Sequence, residues 1–119
     1  MDRPPDATLD VQIDADTISA TIIQALCMGS GRLDRTELEH LEEALRGHIA
    51  LLLPDARTAA RRLWHGSIEA HRITARLDDI ARQTRQGLGQ GPLSAHVQVR
   101  QLARDCQWLL TRRAAEASR

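Results

Sequence analysis

The sequence predicts an all-α protein, an antiparallel up-and-down four-helix bundle with one long helix. Apolar residues recur at alternating spacings of three and four in four separate stretches, and glycine or proline punctuates the gaps between them. Branched residues nowhere alternate with polar ones over a strand length. At 119 residues the chain fits one domain whose segments share a single core. Residues 1–14 carry two adjacent prolines and four Asp, and read as a flexible leader. The domain is expected over 15–115, with 116–119 fraying.

Asp16 is the expected N-cap of the first helix, in which Ile18, Ile22, Ala25 and Leu26 recur at helical spacing and Ile23 widens the stripe. Gly29-Ser30-Gly31 ends it. Asp34 opens the second helix with Glu37 three residues on, a variant of the capping box. Leu38, Leu41, Leu45, Ile49 and Leu52 form its core stripe, and Pro54 is expected to end it, because the residue before a proline is pushed out of the helical region. Asp55 then caps a third helix over about 55–86. Ala59, Leu63, Gly66, Ala70, Ile73, Leu77, Ile80 and Thr84 keep heptad spacing along it, with Gly66 in the seam. Such a helix would be about 48 Å long at about 1.5 Å per residue. Gly87 to Pro92 is the clearest loop, and Pro92 suits the first turn of a last helix with Ala95, Val99, Leu102, Cys106 and Leu109 on one face.

Composition excludes more than it assigns. There is no Lys, Asn, Phe or Tyr, and all sixteen basic residues are Arg, which is the mark of a GC-rich genome. No segment resembles a signal peptide and no apolar run approaches the ~20 residues of a membrane span, so a cytoplasmic protein is expected. In that compartment Cys27 and Cys106 are expected as thiols. Glu37 and His40 have the Glu-x-x-His spacing of carboxylate-bridged metal bundles, but a di-metal centre needs a second such pair, so no metal and no cofactor are expected. No nucleophile elbow, phosphate-binding glycine loop or Cys-x-x-Cys occurs, which points away from an enzyme.

Formal charge is zero, yet residues 1–55 carry eleven acids against four Arg, a net −7, and residues 56–119 carry twelve Arg against five acids, a net +7. The halves are expected to compensate each other. Nucleic acid is not the expected partner, since no helix-turn-helix spacing occurs and two tryptophans offer little stacking surface.

Two candidate surfaces remain. Trp64, Ile68 and Ala75 form a second narrow stripe on the long helix, flanked by Arg61, Arg72 and Arg76. An apolar centre with an arginine rim suits an interface, and a two-fold homodimer is its simplest product. In a core without Phe or Tyr, Trp64 and Trp108 also suit the role of large filler. Arg46, His48, His71 and Arg104 are the candidates to line a ligand cavity, against the plainer reading of His48 and His71 as boundary residues bonded to neighbours.

Leu45-Arg46-Gly47-His48-Ile49, Leu52-Leu53-Pro54, Glu69-Ala70-His71-Arg72, the glycine-rich loop and Leu102-Ala103-Arg104 resemble a family of small actinobacterial proteins of unknown function, commonly labelled natural product biosynthesis proteins. The resemblance spans roughly 38–110 and departs at His71-Arg72-Ile73-Thr74, where the family usually continues with arginines. It implies source and context rather than mechanism. The expected function is a non-catalytic accessory or regulatory protein that binds another macromolecule, a protein partner or its own copy. The competing class is a small-molecule enzyme or ligand-binding protein using the Arg/His set.

Overall fold

The computed structural model describes residues 14–27, 35–87 and 92–117. These form four helices and, among the described residues, no strand: α1 (Ala15–Leu26), α2 (Arg35–Arg61), α3 (Ile68–Thr84) and α4 (Pro92–Ala117). The expected leader, apart from Asp14, lies outside the described residues, as do Gly29 to Gly31 and Asp34.

In α1 the cap is Asp14 rather than Asp16. Its carboxylate accepts from the Thr17 backbone N–H at 3.1 Å and from the Thr17 hydroxyl at 2.6 Å. Asp16 instead stands in the first turn, where a negative charge faces the positive end of the helix dipole. Ile18, Ile22 and Ala25 are buried, whereas Ile23 is exposed, so the stripe is narrower than expected.

The largest departure concerns the middle of the chain. Helix α2 does not stop at Pro54 but runs seven residues past it, and the expected helix over 55–86 is interrupted between Arg61 and Ile68. Proline costs a helix one N–H donor and crowds the carbonyl four residues back. Here Pro54 and Ala50 both lie on the exposed side, while Leu52, Ala56 and Ala60 continue the buried stripe of Leu38, Leu41, Leu45 and Ile49. Burial of that stripe outweighs the lost bond. Asp55 is accordingly an interior residue of α2, and its carboxylate accepts from Arg113 on α4 at 2.6 Å.

The break is built locally. Arg62 and Leu63 donate to the carbonyls of Ala59 and Ala60, three residues back, which tightens the last turn of α2. Ser67 then starts afresh: its N–H reaches the Trp64 carbonyl, and its hydroxyl caps α3 by accepting from the Ala70 N–H at 3.0 Å. Gly66 is therefore a turn residue, not a seam residue. A Cβ there would lie 3.3 Å from the Trp64 indole.

Ala70, Ile73, Leu77 and Ile80 are the buried face of α3, as their spacing predicts. Helix α4 buries Ala95, Val99, Leu102, Cys106 and Leu109, and also Ala103. It packs against each of α1, α2 and α3, most extensively against α2. Helix α2 likewise packs against all three others, while α4 widens its buried face with His96 and Asp105. The two longest helices are α2, with 27 residues, and α4, with 26. No helix among the described residues is long and apolar enough to cross a membrane.

Candidate functional site

Arg46 and His48 are two residues apart on α2, about 200° around a helix, and so point to different neighbours. The Arg46 Nε donates to Glu42 Oε2 at 2.8 Å, and its Nη1 donates to the Thr84 carbonyl at the end of α3. A cation on a last-turn carbonyl complements the α3 dipole and ties α2 to α3. His48 instead meets α1, with Nε2 3.2 Å from Thr21 Oγ1, and burial pushes its pKa below the ordinary imidazole value. His71 is exposed in the first turn of α3 and Arg104 is exposed on α4. Arg46 borders a groove of about 570 Å³ of mixed charge, together with Glu39, Glu42, Glu43, Arg35 and Arg85. His71 lines another pocket, of about 290 Å³. The four side chains do not converge on a shared cavity.

The tryptophans divide between the two roles open to them. Trp108 is half-buried against the core, with the Arg76 and Arg112 guanidinium carbons 5.1 and 5.4 Å from its ring centre, within cation–π range. Trp64 is 78% exposed at the α2–α3 turn, and Ile68, at the first position of α3, is 69% exposed. Ala75 is exposed seven residues further along α3, on the same face as Ile68. Arg61, Arg62, His65 and Arg72 surround this corner, all of them exposed. Arg76, expected in the rim, turns inward to Trp108 and α4.

Its target there is Asp105, which the sequence pattern did not single out. Asp105 is 2% exposed, and its Oδ1 accepts from Gln101 Nε2 at 3.0 Å and Arg76 Nη2 at 3.3 Å. Its Oδ2 and the Arg76 Nε are buried without a hydrogen-bond partner. Burial raises the Asp105 pKa and outweighs the opposing pull of Gln101 and Arg76, with Asp79 adding repulsion. Next to it, burial and the Asp105 charge push the Cys106 thiol up to about 12, leaving it a poor nucleophile. The available signal was an acid on the shoulder of the α4 stripe, four residues after a glutamine. His96 is a second buried polar group on α4, its Nε2 unpartnered. Among the described residues no three His, Cys, Asp or Glu side chains are grouped to hold a metal ion.

A family profile matches residues 16–118, from the first turn of α1 through the end of α4. The chain belongs to the DUF6415 family of unknown function. The DUF6415 match takes in all the surfaces described above, so the α2–α3 corner and the Asp105 cluster are parts of the family domain. No curated protein and no solved structure matches the chain.

Proposed function

We propose that this chain is a non-catalytic accessory or regulatory protein that acts by binding another macromolecule, with the α2–α3 corner as its contact surface. The observation that carries the reading is Trp64. A residue that loses so much apolar hydration on burial stands 78% exposed on a capped turn, beside an Ile that is 69% exposed. Tryptophan and arginine are the residues most enriched at interface centres, and the corner supplies both. The up-and-down order of the four helices belongs to this proposal, since it leaves the corner at one end of the bundle. The resemblance of the segment around Leu45 to Ile49 to actinobacterial proteins labelled for natural product biosynthesis supports that context.

The partner we assign first is a second copy of the chain. A two-fold axis through Trp64, Ile68 and Ala75 brings the corner arginines Arg61, Arg62 and Arg72 of one copy toward α2 of the other, where Glu37, Glu39 and Glu43 are exposed. Sedimentation equilibrium at micromolar concentration tests this. The expected result is twice the chain mass of 13.2 kDa, falling to the single mass for Trp64→Ala. A wild-type mass of one chain removes the homodimer, and a dimer indifferent to Trp64→Ala removes the corner as its surface.

A further inference from the structure

The pocket between the end of α2 and the start of α3 shares Arg61 and His65 with the rim of the α2–α3 corner but includes neither the apolar residues Trp64, Ile68 and Ala75 nor the buried Asp105 cluster. Its volume is about 290 Å³, and Arg57, Arg61, His65 and His71 line it with Thr74 over a floor that includes Leu77. Every titratable side chain in the lining is a potential cation, and no carboxylate lines it. Arg57 is steadied from outside the lining by Asp78 Oδ1 at 3.0 Å. The side chains of Arg61, His65 and His71 have no hydrogen-bond or ion-pair partner among the described residues.

These groups come from three segments. Arg57 and Arg61 are one turn apart on α2, His65 comes from the turn, and His71 and Thr74 lie one turn apart on α3. The break between α2 and α3 creates the convergence, because on an unbroken helix residues 57 and 74 would stand about 25 Å apart at about 1.5 Å per residue. The first turn of α3 also contributes to the wall through Ala70 and His71, which sets the positive end of a 17-residue helix beside the same space. Like charges brought together repel unless something negative enters between them.

We infer that this pocket binds a phosphate or diphosphate group of a small molecule. A carboxylate has two oxygens, which one bidentate arginine satisfies. Two guanidiniums, two imidazoles and a hydroxyl arranged around one space match an anion with more oxygens. The volume is near the lower end of small-molecule sites, which suits a phosphorylated head group rather than a large cofactor. This inference goes beyond the macromolecular contact and does not rest on it.

Isothermal titration of the full chain with inorganic pyrophosphate tests it, with citrate as a polycarboxylate comparison. The expected result is one saturable site that binds citrate about tenfold more weakly or worse, since fewer charge-assisted hydrogen bonds form. Arg61→Gln combined with His65→Gln is expected to lose about tenfold or more in pyrophosphate affinity, and Arg104→Gln, on α4, to keep it. If the double variant melts early, His71→Gln alone must still weaken binding. Absence of saturable heat, equal affinity for citrate, or wild-type affinity in the pocket variants overturns the assignment. The sedimentation mass of the wild type is read separately, so failure here leaves the dimer standing or falling by itself.

Discussion

Two titratable residues, half-buried His48 and buried Asp105, carry opposite pH signatures. The His48 pKa is lowered in the folded state by burial, so the unfolded chain binds more protons as pH falls through the ordinary imidazole range near 6.5. Its contribution is intact above that range and is lost on acidification. His48→Gln, which can keep a bond to Thr21, is expected to lose less thermal stability than the wild type between pH 8 and pH 5, as read by melts followed by circular dichroism. Asp105 runs the other way. With its folded pKa raised, its contribution is present below the ordinary carboxyl value near 3.9 and is lost as pH rises through the folded value. The stability of Asp105→Asn relative to the wild type should therefore improve from pH 3 to pH 7. Asp105→Ala should cost about 1–3 kcal/mol, because it strips the acceptor from Gln101 and Arg76. A gap between Asp105→Asn and the wild type that stays constant with pH would contradict the raised pKa. The exposed partners of the candidate site were legible as residues, since Trp64 and Ile68 stood off the main stripe. Asp105 was not, because a polar group enters a core only where partners on another helix receive it, and Arg76 read as a rim residue.

Helices reveal themselves in sequence through periodicity, and the buried faces of α1, α3 and α4 and most of α2 follow their apolar spacing closely. What the spacing could not fix was where one helix stops and the next begins. Pro54 is a strong local stop signal, yet the buried Ala56 and Ala60 continue the stripe beyond it. Gly66-Ser67 is a weak signal, yet the Ser67 cap and the tightened turn before it make the real boundary. The heptad pattern ran across that boundary because Leu63 and Ala70 happen to keep step through the turn. Pro54→Ala is expected to stabilise the protein by about 1–3 kcal/mol, since an exposed helical position regains its donor. Ser67→Ala should cost about 1 kcal/mol. Urea denaturation with an unchanged slope measures both. Limited trypsin digestion should cut first after Arg61 or Arg62, where α2 gives way to the exposed turn. Early cleavage within 68–84 would contradict the break.

For the molecule as a whole, ion pairs among the described residues only partly join the −7 and +7 halves of the sequence. Arg113 with Asp55 joins the two halves across α4 and α2, but the pair is solvent-exposed and contributes little to stability. A charge separation left over within one chain is a reason for two chains to meet. If they do so through the corner arginines and the exposed glutamates of α2, the association should weaken from low to high salt while the melting temperature of the Trp64→Ala chain barely moves. Sedimentation at both salt levels, beside melts of the variant, checks this.

Helix α4 touches all three of its companions and is the last of the four to be synthesised. Until it emerges from the ribosome, α1 and α3 have only α2 to pack against, and the face of α2 that α4 covers stays open. The nascent chain can therefore pair α2 with α1 and α3, but its most extensive helix contact waits for the final helix. Slowing elongation before residue 92 would then lengthen the interval in which the α4-facing side of α2 is exposed. A fragment ending at Gly87 should show little cooperative unfolding until a peptide of 92–117 is supplied in trans.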